Sequence, residues 1–335
     1  MNAILLAGDR KAANRLCGMN KAFLLLEGWP LFIHVLTALS QSLRIETIYI
    51  IGPRKAIMEY LEKALLSFVF TKKIEVLEQK ETLLENIVCT YRHASFGQND
   101  QPVLFLPADI PLVTGQEIDT FISMSDMDQY DYCLGVTSQE HLKRFYPKLN
   151  DPGITMPYLY LKDHIYRMNN LHIARLTCKT AGSIIQTIYN HRRQKYIWNR
   201  AGMVYALLKA GHARFLLLLY LLAQAAVLLS RFSLHRIAKL FRKPLSLHRV
   251  EKEFSALMRM RFKAVETNLG GAALDIDDES TYKTIALVFR KWREALMPKQ
   301  AASPLQTTEG GHNMACPFQA QEKRHKPNSA IAELG

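Results

Sequence analysis

Ala3-Ile4-Leu5-Leu6-Ala7-Gly8-Asp9-Arg10 opens the chain and sets its architecture. Five apolar residues ended by a glycine are too few for a helix and show no polar alternation. They read as a strand buried on both faces, the kind found in parallel sheets flanked by helices. The following sequence repeats that rhythm. Pro30 to Leu43 has helical spacing with Pro30 suited to the first turn. Thr47 to Ile51 is β-branched and closes at Gly52-Pro53, a second strand. Lys55 to Phe68 is a helix, Ile74 to Leu77 a strand, Thr82 to His93 a helix, and Pro102 to Leu106 a strand running into Pro107-Ala108-Asp109. This βαβαβαβ order predicts an α/β protein with an open, mostly parallel sheet and helices on both faces.

After a helix at Gly115 to Ser125 and a strand at Tyr132 to Val136 the rhythm breaks. Residues 138–190 mix turns, tyrosines and short extended pieces, and 181–260 have mainly helical patterning. Arg261 to Thr267 reads as a returning strand, Asp275-Ile276-Asp277-Asp278-Glu279 as an acidic run, and Ser280 to Leu296 as a closing helix. The expected organisation is a core formed by 1–137 and 265–295, a large, mainly helical, basic insertion over 138–264, and a disordered tail over 297–335.

Composition narrows the class. Hydrophobic residues make up 49%, charged residues 22%, with 16 Gly and 13 Pro, which excludes collagen-like and wholly disordered chains. The five cysteines are scattered with no CxxC pair, so neither a disulfide framework nor a zinc site is expected, and a cytoplasmic compartment is. The first apolar run is cut by Gly8-Asp9-Arg10, unlike a signal peptide.

The net charge of +13 is unevenly placed. From His191 to Lys263 there are sixteen Lys/Arg against Glu251 and Glu253, whereas the rest of the chain is nearly neutral. Such a segment meets phosphate, on a charged substrate or an anionic lipid surface. It contains the most apolar stretch of the chain, Phe215 to Leu229, too short to span a bilayer at about twenty residues. A buried core helix is the expectation, with a helix on an anionic membrane face as the alternative. No zinc-finger spacing or RNA-recognition motif is present, and no nucleic-acid partner is expected.

Ligands of open α/β sheets bind outside the carboxyl ends of the strands, and four features fall there. The loop Leu6-Ala7-Gly8-Asp9-Arg10, closed by Lys21, offers backbone amides and two cations to phosphates. It is neither GxGxxG nor a Walker A loop, so dehydrogenase and P-loop readings fail. Asp109 follows a buried strand directly, where a carboxylate needs solvent, a partner, a metal ion or a helix N-terminus to cap. Asp275 and Asp277 are a second acidic feature, with a cap for the last helix as their simpler reading. Two carboxylates brought together by the fold would suit Mg²⁺ with phosphate oxygens completing its shell. Asn169-Asn170 in the irregular middle is the fourth, an ordinary turn pair unless it meets a substrate. No HExxH, GxSxG or Cys–His arrangement is present.

Together these pieces resemble the MobA-like NTP transferase family. Leu5-Leu6-Ala7-Gly8 with Lys21-Ala22-Phe23-Leu24-Leu25-Leu26-Glu27-Gly28-Trp29-Pro30-Leu31 is similar to its LAGG…K-x-LL-x-x-x-G-x-P-L pattern. Leu106-Pro107-Ala108-Asp109-Ile110-Pro111-Leu112-Val113 resembles its P-x-D-x-P-L-V motif, and Leu274-Asp275-Ile276-Asp277 its closing LDIDTPED element. The opening departs from the family's GGxSxRMG, since Gly8 is followed by Asp9-Arg10-Lys11 and a longer stretch to Lys21. The resemblance implies a Rossmann-like nucleotidyltransferase fold and the transfer of an NMP from an NTP to a phosphorylated small-molecule acceptor, with release of pyrophosphate and dependence on Mg²⁺. It implies Lys21 and Arg10 (Arg15 as fallback) on the phosphates, and Leu6, Ala7, Gly8, Gln79 and Asn86 around the nucleotide. Asn170 falls near the acceptor, and Asp109 and Asp275 (Asp277 as runner-up) on the metal. A nucleotide-sugar glycosyltransferase and a non-catalytic nucleotide-binding or membrane-docking relative are the alternatives.

Overall fold

The computed structural model describes residues 1–8, 16, 18–95, 101–149, 151–162, 164–176, 221–222, 225, 240–258 and 260–297. Contacts divide the chain into Met1–Met297 and Pro298–Gly335, and the tail expected to be disordered lies, from 298 onward, outside the described residues. Strand β1 (Asn2–Leu6) leads through a short hairpin, β2 (Leu25–Leu26) and β3 (Trp29–Pro30), to α1 (Leu31–Gln41). Then come β4 (Thr47–Gly52), α2 (Arg54–Ala64), β5 (Lys73–Glu78), α3 (Leu83–Ala94), β6 (Val103–Pro107), α4 (Gly115–Met124) and β7 (Tyr132–Ser138). Past a short α5 (Gln139–Leu142), the described chain forms β8 (Leu159–Tyr160), β9 (Ile165–Ala174), α6 (Leu247–Met258), β10 (Phe262–Glu266) and α7 (Glu279–Leu296).

The sheet runs β10-β7-β9-β6-β1-β4-β5, with β8 beside β9. Its neighbours are parallel except around β9, which runs antiparallel to β6, β7 and β8. The β1 run is buried on both faces, as its uninterrupted apolarity requires. Ala3 and Leu5 join Leu104, Leu106 and the inner sides of α1 and α4 in one core. Ile4 packs on the opposite face with Tyr49, Val103, Phe105 and Tyr91 and Ala94 of α3. Helix α3 starts on a capping box in which Thr82 and Glu85 satisfy each other's backbone amides. Helix α7 starts on Asp278, whose carboxylate accepts from the Thr281 amide at 2.9 Å. The cap therefore falls to Asp278 and leaves Asp275 and Asp277 for other work.

One expectation needs correcting. The described part of 138–264 is not a mainly helical insertion outside the core: β9 lies in the middle of the sheet, between β6 and β7. A boundary at 137/138 therefore does not correspond to a division of the sheet. Strand β9 escapes the apolar pattern because Arg167, Asn169, Asn170 and His172 interrupt it, and each has a polar partner. Asn169 donates to Thr137 Oγ1 and Thr267 Oγ1, and Tyr132 Oη lies 2.8 Å from His172 Nδ1. Most of the basic segment, and all of Phe215 to Leu229 except Leu221, Leu222 and Ala225, lies outside the described residues. Among the described residues no helix is long and apolar enough to cross a membrane.

Candidate active site

The site gathers at the carboxyl ends of β1, β6 and β10. Beyond β1, the Ala7 amide donates to the Ile51 carbonyl and the Ala108 amide to the Leu6 carbonyl, which fixes both loops to the sheet edge. Lys21 opens a single 3-10 turn, Lys21–Phe23, capped by Asn20, whose side-chain oxygen accepts from the Ala22 amide. The Asn20 amide group also donates to the Ala7 carbonyl at 3.3 Å, tying the lysine turn to the end of β1.

Lys21 Nζ lies 2.7 Å from Asp277 Oδ1 and 3.6 Å from Asp109 Oδ2. Lys21 and Asp109 are each only 14% exposed, and Asp277 is half exposed at 49%. The two acids come from sequence positions far apart but share one edge, because the Ile276 amide donates to the Asp109 carbonyl at 2.9 Å. Asp109 caps no helix: α4 is capped by Thr114. Asp275 is held by Arg167 Nη2 at 2.6 Å and its carboxyl lies against that of Asp277. Burial pushes its carboxyl above the usual carboxylate range, and the neighbouring Asp277 adds to this while Arg167 opposes it.

The turn that delivers the acids is held from below. Gly270 adopts φ +85, a left-handed conformation that favours glycine, and a Cβ on Gly271 would stand 2.1 Å from the Leu112 carbonyl oxygen. Under this turn sits the fully buried Glu117, accepting from Thr267 Oγ1 at 3.2 Å and from the amides of Gly270 and Ala272 at 3.0 Å. Burial pushes its carboxyl up to about 7 against the pull of those donors. From the sheet side Arg167 Nε donates to the Ala273 carbonyl and the Asn170 amide group to the Ala272 carbonyl. From α7, Arg293 donates to the Pro111 carbonyl in the Asp109 loop.

At the end of β1, a Cβ on Gly8 would come within 3.3 Å of Gln79 Oε1 and 3.8 Å of Asn86 Nδ2. Those two side chains therefore stand over the end of β1. Asn86 is buried and its oxygen accepts from the Lys80 amide, while the Gln79 amide donates to the Gly52 carbonyl. The structure thus assembles Leu6, Ala7, Gly8, Gln79 and Asn86 at one place and Lys21 with Asp109 and Asp277 at another. Asp275 lies beside the second group, paired with Arg167. Asn170 is on β9 under the acid turn. Arg10 and Arg15 lie outside the described residues.

Sequence reasoning passed over Glu117 and Arg167. Glu117 stands three residues after Thr114 and has the spelling of an ordinary helix-start acid, and Thr114 does accept from its amide. Among the described residues no group of three or more His, Cys, Asp or Glu is arranged to hold a metal ion. The pair Asp109 and Asp277 nonetheless suits a divalent cation: their oxygens converge on a single ammonium nitrogen, and Mg²⁺ needs only one or two carboxylates when phosphates supply further ligands.

A mostly parallel sheet with acids and a lysine at its carboxyl edge defines an α/β protein with its ligand site outside the strand ends. The model of the MobA-like NTP transferase domain matches residues 3–226, and the chain belongs to that family. It is a transferase of the nucleotidyltransferase class. The matched span stops short of β10 and the acid turn, which the structure places in the same sheet and site. A solved structure of a hypothetical transferase from Thermus thermophilus is 21% identical, with a TM-score of 0.51 over 84% of this chain and 98% of that one, a likeness of fold. CMP:2-keto-3-deoxy-manno-octonic acid synthetase complexed with CTP is 11% identical, with a TM-score of 0.43 over 87% of this chain and 99% of that one. The 4-diphosphocytidyl-2C-methyl-D-erythritol synthase from Anaerococcus prevotii DSM 20548 is 13% identical, with a TM-score of 0.37 over 58% and 76%. No curated protein matches the sequence.

Proposed function

We propose that the chain moves an NMP from an NTP to a phosphorylated small-molecule acceptor, releasing pyrophosphate, with Mg²⁺ held by Asp109 and one of the acids of the 275–277 turn. The observation that supports this reading is the seating of the Lys21 ammonium between Asp109 and Asp277, at the strand edge where Gly8 admits a close approach of phosphate. An acceptor phosphate oxygen attacks the α-phosphorus as the bond to the bridging oxygen of pyrophosphate breaks. The nucleophile is already anionic near neutral pH, so no general base is required. The work left to the protein is alignment and charge neutralisation. Mg²⁺, when bound, supplies neutralisation of the phosphate oxygens at the reacting centre. Lys21 takes up charge on the departing pyrophosphate, with Arg10 as its partner from the opening loop. Gln79 and Asn86 flank the nucleotide beside Ala7 and Gly8, and Asn170 orients the acceptor.

The basic segment His191 to Lys263 is assigned to an anionic partner, the phosphorylated acceptor or an anionic membrane face, on the strength of its charge count. Pyrophosphate release from an NTP in the presence of a phosphorylated acceptor tests the reaction. A nucleotide-sugar glycosyltransferase would release a nucleoside diphosphate instead.

A further inference from the structure

We infer that Lys21 occupies the cation's place while the nucleotide is absent, so that the divalent ion enters with the triphosphate and not ahead of it. The inference rests on the metal-site reading above. Its basis is where the ammonium sits. A lysine serving only to receive phosphate would point into the open edge and remain hydrated. Lys21 is instead 14% exposed and turned into the gap between Asp109 and Asp277, the two acids best placed to share a divalent ion.

The surrounding charges favour that arrangement. Asp109, Asp275 and Asp277 crowd one edge, and Arg167 is committed to Asp275 and the Ala273 carbonyl. Among the described residues, Lys21 is the cation that the ion pairs give to Asp109 and Asp277. A bare divalent ion approaching this gap would meet a positive charge already seated on the same oxygens. Like charges at such separations, in a partly buried site, repel strongly. Lys21 therefore lowers the affinity of the acids for free metal.

The triphosphate changes the balance. The lysine side chain is a point charge on a flexible four-carbon stem, and its turn is tied through Asn20 to the Ala7 carbonyl, beside the phosphate-facing loop. Phosphate oxygens arriving there offer the ammonium a second set of anions. Its departure frees the carboxylates for the ion that accompanies the nucleotide. Metal and triphosphate then bind with positive coupling, and Lys21 sets the order of arrival.

The test uses the full chain, Mn²⁺ as the probe and no nucleotide, with free Mn²⁺ followed by electron paramagnetic resonance. Lys21→Met should bind Mn²⁺ about tenfold or more tightly than wild type, within the ordinary range of coupling between sites. Lys21→Arg, which keeps the charge, should stay close to wild type. Adding Asp109→Asn to Lys21→Met should abolish the gain. As a second readout, Mn²⁺ should raise the melting temperature of Lys21→Met more than that of wild type, which also shows that the variant is folded. Equal Mn²⁺ affinity in wild type and Lys21→Met, lost on Asp109→Asn, would overturn the placeholder role and leave the metal site standing. Failure of Lys21→Met to bind millimolar Mn²⁺ would overturn the placeholder role, whereas the metal-site reading falls only if Asp109→Asn keeps normal Mg²⁺-dependent turnover.

Discussion

Replacing Glu117 by glutamine tests how the acid turn is supported. Glu117 is fully buried and accepts from Thr267, Gly270 and Ala272. Burial moves its carboxyl from 4.5 up to about 7. The folded protein therefore holds this proton more tightly than the unfolded chain. The resulting stabilisation is fully present below pH 4.5 and is lost as pH rises through about 7. The full displacement corresponds to about 3 kcal/mol. Going from pH 8 to pH 5, wild type should gain on the order of 2 kcal/mol from this one residue. Glutamine does not titrate, so Glu117→Gln should lack that gain. It also turns an NH₂ towards backbone donors, leaving at least one buried N–H unsatisfied at a cost of about 1–3 kcal/mol. Urea unfolding of both proteins at pH 5 and pH 8 measures each effect, and other titrating groups cancel in the comparison. Identical pH dependence in the two proteins would mean that Glu117 does not change protonation over this range, and the reasoning from burial would fail.

Asp109→Asn and Asp277→Asn should each lower turnover by about 100-fold or more while the far-ultraviolet dichroism stays unchanged, since losing a metal-side carboxylate removes several kcal/mol of transition-state stabilisation; near-normal rates in Mg²⁺ for both would refute the transferase site as drawn. Lys21→Ala should slow pyrophosphate release, and Lys21→Arg should restore little of it because a planar fork does not replace a point charge. Gly8→Val, which drives a branched side chain towards Gln79 and Asn86, should weaken nucleotide binding in equilibrium dialysis and leave acceptor binding unchanged. If the basic segment meets a membrane, the protein should co-sediment with anionic liposomes at low salt and be released at high salt; binding indifferent to lipid charge and salt would exclude that partner.

The sheet was legible wherever burial on both faces left a purely apolar run, as at Ile4, Ile50 and Leu104. It was illegible at β9, because this strand spends its side chains on polar partners: Arg167 on Asp275, Asn169 on Thr267, Asn170 on the Ala272 carbonyl. The same contacts place β9 beneath the acid turn. Lys21, Gly8 and Asp109 could be found from spacing and position after a strand. That Asp277 and not Asp275 pairs with Lys21 depends on the turn between β10 and α7, whose course is set by Gly270, Gly271 and Glu117. Glu117 itself reads locally as a helix-start acid after Thr114, and its partners lie 150 or more residues away. A fully buried acid with distant amide partners is visible only once the chain is folded.

Transfer of a nucleotidyl group makes pyrophosphate the leaving group. The most direct measurement crosses the four NTPs with sugar-phosphate, polyol-phosphate and cofactor-phosphate acceptors in Mg²⁺, following pyrophosphate release and the phosphorus resonances of the product. Nucleotidyl transfer requires that at least one pair yields pyrophosphate in equal amount to a new diphosphate linking nucleoside and acceptor, and that Asp109→Asn abolishes it. Release of nucleoside diphosphate or inorganic phosphate in place of pyrophosphate, or the same pyrophosphate yield without an acceptor, would contradict it.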